Sequence, residues 1–356
     1  MAPVAAILRA LTRAARRNLR TFLSVGANNF FLFGVLLVYS ALGSGVKPVD
    51  AAPLFLFLFL LMLFPLTSNP ISRIPPSRIE LWPLTGAQRF ALRTASLGLT
   101  PIVWAPLLIV ALTARVWLAI DFLGLVLLVQ ALAVAGNQIY RRLPSLNPLR
   151  RVPPFPGSIG GAVRLAVRQI LSVLDFYLVL VLCIGMAVYR FAHPDPGAYP
   201  IQAIFLAFSL STYAQSSFGL DSPAALTRFR LLPLRGWQIL LAKDIAFLSV
   251  VVALVLPFDV GAGLTFGLTA VALGRYPSLV LRLPQHRWRF TGGDIRFCIL
   301  QAVVGAFLGV EEYRHGPWFL SIALSAYLVS LFWGGLYRDK HIEEPSITRT
   351  VWMPAS

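Results

Sequence analysis

Charge is scarce in this chain. Only 13% of its 356 residues are Asp, Glu, Lys or Arg, about half the share of an ordinary soluble domain. No polar stretch between the apolar runs is long enough to fold as a soluble domain. Cysteine is nearly absent. Cys183 and Cys298 both fall inside apolar runs, where a thiol is a small packing group rather than half of a disulfide or a metal ligand. Lysine occurs three times, at Lys47, Lys243 and Lys340, never after a glycine. That excludes a Walker A phosphate loop, and with it ATP hydrolysis by this chain. His193, His286, His315 and His341 are scattered and are expected in loops, with no HExxH or clustered Cys/His spacing to hold a metal. The 14 carboxylates form no recognised catalytic arrangement. Glu311 and Glu312 with His315 make the one cluster able in principle to do acid–base chemistry, and a polar loop between spans is the simpler account.

What the chain has is apolar runs of bilayer length. Hydrophobic residues make up 57% of it, and the mean hydropathy is +0.74. The expected fold is all-α, a polytopic transmembrane helical bundle. About ten spans are expected, at 22–42, 51–67, 95–113, 118–138, 172–190, 200–217, 245–257, 261–275, 296–310 and 317–336. With a cytoplasmic N-terminus and alternating spans, 27 of the 31 Lys and Arg fall on the inner side, leaving only Lys47, Arg115, Arg190 and Arg314 outside. That is the positive-inside pattern, and both termini are expected in the cytoplasm. This bias, with contact to anionic membrane lipid, accounts for the net charge of +17 without a nucleic-acid partner. Arg9, Arg13, Arg16, Arg17 and Arg20 before the first run also suit a signal peptide. That run has an internal counterpart, however, and is read as a span.

The counterpart belongs to a duplication. Residues 80–93 read ELWPLTGAQRFALR and residues 230–243 read RLLPLRGWQILLAK, aligned at an offset of 150. Pro83, Leu84, Gly86 and Gln88 meet Pro233, Leu234, Gly236 and Gln238; Arg93 meets Lys243, and Arg78 meets Arg228. RTFLSV at 20–25 matches RQILSV at 168–173, and Arg142 to Pro144 matches Arg282 to Pro284. The expected organisation is membrane repeat 1 over 1–140, a cytoplasmic Pro/Arg/Gly-rich linker over 141–161, membrane repeat 2 over 162–284, and a two-span tail with a cytoplasmic C-terminus over 285–356. Each repeat holds four spans, an even number, so the two copies are parallel.

Each copy of the repeated segment lies between a span and the next, on the cytoplasmic side. Pro83 starts or interrupts a helix, and Thr85-x-x-Gln88 fits a capping box, so a helix is expected to start there and run into the third span. Copy two has Arg235 in place of the threonine and is expected to lose that cap. Ser222-Pro223 fits the start of a short interfacial helix over 224–232. A lipid surface does not require Gly or Gln at one fixed position, whereas a protein surface can.

The pattern Pro-Leu-x-Gly/Arg-x-Gln-x-x-x-x-Lys/Arg between two spans resembles the cytoplasmic segment of type-2 ABC exporter permeases. The resemblance implies a membrane subunit moved by separate ATP-binding-cassette ATPases, which hold the ATP and magnesium and dock on short cytoplasmic helices. By position, Arg78, Pro83, Leu84, Gly86, Gln88 and Arg93 would form one coupling segment. Arg228, Pro233, Leu234, Gly236, Gln238 and Lys243 would form the other. Two segments suit two ATPase copies. The family's usual half has six spans, so four plus four plus two leaves a homodimer open.

Other classes stay open beside this one. A gradient-driven secondary transporter usually carries ionisable groups inside its bundle. Here Asp175, near the inner end of a span, is the acid most worth testing, with headgroup-level pairing as the simpler account. Gln130, Asn137 and Gln138 on the fourth span suit helix–helix hydrogen bonds before substrate contacts. A membrane enzyme or a scaffold comes last. Gly263-x-x-x-Gly267 and Gly305-x-x-x-Gly309 are read as packing motifs inside the bundle first and dimer contacts second.

Overall fold

The structure is a computed structural model that describes residues 2–17, 81–97, isolated positions between 117 and 128, 156–157, 159–192, 194–221, 234–283, 285 and 290–343. The expected spans at 22–42 and 51–67, most of those at 95–113 and 118–138, and the short helix at 224–232 lie outside these residues. So do Arg78, Gln130, Asn137, Gln138, Arg228 and Pro233. The chain divides into two compact units, Met1–Asn147 and Pro148–Ser356.

In the first unit, α1 spans Ala2–Arg17 and α2 spans Gly86–Leu97. The apolar-run reading places no helix over 2–17. The helical period is nevertheless present there. Val4, Ile7, Leu8 and Leu11 recur at helical spacing on one side, and Arg9, Arg13 and Arg16 on the other. The apolar side is covered by α2: Ile7 and Leu8 pack with Trp82 against the buried Leu84 and Leu92. Arg9 and Arg13 are exposed.

In the second unit, α3 covers Gly160–Ile170, α4 Leu174–Ala192, α5 Tyr199–Gln215, α6 Gly236–Val255, α7 Val260–Tyr276, α8 Ile295–His315 and α9 Trp318–Glu343. Among the described residues, four helical segments are long and apolar enough to cross a membrane: Leu174–Ala192, Gly236–Val255, Val260–Leu281 and Trp318–Lys340. The described structure is helical throughout, and these segments mark a membrane protein. α6 begins nine residues before the expected span at 245. From Gly236 onward the repeated segment and the span are therefore one continuous helix.

The bundle is built around α7, which packs against α5, α6, α8 and α9. Its sequence explains why. Glycines let neighbouring backbones close in where a side chain would hold them apart. A Cβ on Gly263 would strike Val255 of α6, and one on Gly274 would strike the backbone of Ala214 on α5. From the other side, Gly305 of α8 seats Phe266, and Gly309 seats Ile204. Both small-xxx-small motifs are thus internal packing. Asp259 caps α7 by accepting the Ala262 N–H at 2.9 Å. At its far end α7 widens into one π turn over Pro277–Leu281, closed by Arg282 in the left-handed region at φ 43°.

Candidate functional site

In copy one, α2 starts at Gly86 with both arms of the expected capping box. Gln88 Oε1 accepts the Thr85 N–H at 3.0 Å, and the Gln88 N–H donates to Thr85 Oγ1 at 3.3 Å. Leu84 turns inward to Leu92. Pro83, Thr85, Gly86 and Ala87 are exposed, Leu81 is 82% exposed, and among the described residues a Cβ on Gly86 would meet nothing within 4 Å. Arg93 lies within α2 by its backbone, and its side chain is outside the described set.

In copy two the expected loss of the cap is only half right. Arg235 has no acceptor to offer, and the Gln238 N–H turns to the Arg235 carbonyl instead, at 3.0 Å. The glutamine arm survives: Gln238 Oε1 accepts the Arg235 N–H at 2.8 Å. Gln at this position in both copies therefore caps the helix that begins at the glycine. Leu234 packs on the cluster of Phe218, Ile239 and Leu240.

Gly236 differs from Gly86. Its N–H donates to Asp339 Oδ1 of α9 at 2.7 Å. A Cβ there would lie 2.6 Å from that oxygen, 2.9 Å from the Gly335 carbonyl oxygen and 3.2 Å from Arg338 Cβ. Trp237 fills the place where Gly335 lacks a side chain.

Lys243, expected in the cytoplasmic coupling segment, is 4% exposed. Its Nζ pairs with Asp221 Oδ2 at 2.9 Å, donates to Gln169 Oε1 at 3.2 Å and to the Ser217 carbonyl, and lies 4.5 Å from the centre of the Phe218 ring. Gln169 Nε2 donates in turn to Asp221 Oδ1, closing a three-residue ring. One residue on, Asp244 receives both guanidinium arms of Arg275, with Nη1 at 3.0 Å, and the Tyr327 hydroxyl at 3.2 Å. These contacts tie α6 to α7 and α9. At the repeat offset, Ile71 and Thr94 stand where Asp221 and Asp244 stand in copy two.

Sequence reading missed these ion pairs because it started the span at 245, which left Lys243 and Asp244 outside it on the cytoplasmic side. The available signal was the Lys-Asp dipeptide flanked by ILLA and IAFL. Burying a charge is costly unless it is paired and hydrogen-bonded, and here each is.

The other expected residues fall apart from this cluster. Asp175 is buried in the first turn of α4, and its Oδ2 accepts the Thr291 N–H at 2.7 Å. A second buried polar group, not foreseen, joins Gln215 Nε2 to Gln301 Oε1 at 2.6 Å, while Gln301 Nε2 donates to the Ala270 carbonyl at 2.7 Å. Glu311 and His315 pair within α8 at 3.1 Å. Glu312 instead lies over Gly261, filling the space a Cβ would take. His315 and His341 belong to helices rather than loops. Among the described residues, no group of three or more His, Cys, Asp or Glu is placed to hold a metal ion.

No family model, no curated protein and no solved structure matches this chain.

Proposed function

We propose that this chain is the membrane-spanning permease subunit of an ABC-type exporter in a bacterial inner membrane. A separate cytoplasmic ATPase, holding ATP and magnesium, drives it through the repeated segments. The bundle has about ten spans, as two parallel four-span repeats plus a two-span tail, with both termini cytoplasmic. ATPase closure pushes on a coupling segment, and the push passes along the helix that starts there, α2 from Gly86 or α6 from Gly236. The observation that carries this reading is that both copies build the same device. A Gln reaches back to cap a helix that starts at Gly86 or Gly236, and in α6 that helix continues to Val255 without a break.

The test is purification of the tagged protein from its own host in mild detergent. A co-purifying chain carrying a Walker A loop, with ATPase activity, supports the reading. A protein that purifies alone in several mild detergents, without ATPase activity, overturns it.

A gradient-driven carrier is the second reading, favoured by one observation. Lys243, Asp244, Asp221 and Arg275 are buried ionisable groups, and three of them lie on helices of membrane-crossing length. Transport that needs a proton or sodium gradient, and is lost in Asp244→Asn, would favour it. Transport that needs only ATP and a partner would remove it.

A further inference from the structure

The two copies of the repeated segment are not equally available. In copy one, residues 83, 85, 86 and 87 are exposed, and among the described residues Gly86 has no neighbour at its Cβ position. In copy two, the chain's own α9 already occupies the corresponding place. Asp339 accepts the Gly236 N–H, Gly335 lies against Trp237, and the cation matching Arg93 is buried on Asp221. An ATPase groove cannot receive a helix start whose first amide is bonded and whose glycine face is closed by backbone.

We propose that the partner ATPase engages copy one alone, and that copy two is permanently engaged by α9. Each chain then takes one ATPase, and an exporter with two ATPases needs two chains. This rests on the exporter reading above.

The charge of the first unit indicates what the partner's docking face is like. Of the 13 Lys and Arg in residues 1–147, all but Lys47 and Arg115 fall on the expected cytoplasmic side, against one acid there, Glu80. Arg9 and Arg13 of α1 are exposed on the helix that packs against Leu84. The face that fits is an apolar cleft for Leu81 and Pro83 with an acidic rim, and its grip weakens as salt is raised.

The test is native mass spectrometry of the purified complex, for wild type, Gly86→Trp and Arg235→Glu. Both substituted positions are exposed, and Gly86 has open space, so neither change disturbs packing. Equal numbers of chain and ATPase are expected. Gly86→Trp should lower the ATPase retained by about tenfold or more, as expected for the centre of an interface, while Arg235→Glu leaves it unchanged. Two ATPases on one chain, or loss of ATPase in Arg235→Glu, overturns the inference and leaves the exporter reading standing. ATPase retained by Gly86→Trp, with its binding to vesicles of anionic lipid reduced, would make copy one a membrane contact and also overturn it. Wild type with no Walker A chain bound overturns the exporter reading and this inference together.

Discussion

Asp244 and Arg275 face each other through two parallel hydrogen bonds within helices of membrane-crossing length, with the Tyr327 hydroxyl as a third donor to the carboxylate. A buried pair of this kind adds little net stability, because desolvating both charges offsets their attraction. Removing one partner leaves a bare charge and costs about 3–5 kcal/mol. Arg275→Met should therefore lower the melting temperature in detergent sharply. The double variant Asp244→Leu with Arg275→Met should recover most of the loss. If the two single losses simply add in the double variant, the pair is not coupled.

The glycines of the two copies should respond with opposite sign. Gly236→Ala puts a Cβ against Asp339 Oδ1 and the Gly335 carbonyl, an overpacking cost of about 1–3 kcal/mol. Gly86→Ala meets nothing among the described residues and removes backbone freedom at a helix start, a gain of about 0.5 kcal/mol. Thermal unfolding of the two variants beside wild type reads this directly, and equal shifts would refute the asymmetry.

Gln88 and Gln238 are helix caps before they are anything else. Replacing either by Ala should cost about 0.5–2 kcal/mol. Replacement by Glu keeps an acceptor at the N-terminus and should be neutral or slightly stabilising. If Gln88→Glu is stable yet loses the partner, Gln88 has a second role at the interface. Stability and co-purification measured on one sample separate the two.

Glu312 offers a pH dependence with a defined sign. It lies beyond the apolar run 296–310, and burial together with the nearby Asp259 carboxylate raises its pKa above the usual carboxylate range. The folded state thus holds this proton more tightly than the unfolded state does. Its contribution to stability is greatest below the ordinary carboxylate value and is lost as pH rises through the raised one. Melting curves between about pH 4 and pH 7 should show that slope in wild type and less of it in Glu312→Gln.

The helical, membrane-crossing character of the chain was legible because the apolar runs leave no other reading. Within the described residues, expected spans fall on α4, α5, α7, α8 and α9. Thr85 and Gln88 announced their helix start because a capping box is a local device, complete within four residues. What was not legible depends on distant partners. Nothing local to Gly236 says that Asp339, over a hundred positions later, will bond its amide. Nothing local to Lys243 says that Asp221 and Gln169 will close around it. A charged dipeptide between two apolar runs reads as an interface feature until the helix is known to start seven residues before it. α1 was missed for a different reason. Its apolar stripe is too short for a bilayer and shows only at helical period, so a search by run length passes over it.

Cys183 and Cys298, the chain's only thiols, are both buried, and Cys183 Sγ is bonded to the Leu254 carbonyl at 3.1 Å. To a water-soluble thiol reagent the native protein is therefore silent. Any cysteine placed at 81, 83 or 86 would be the sole reactive one, and the wild-type background already serves as the blank.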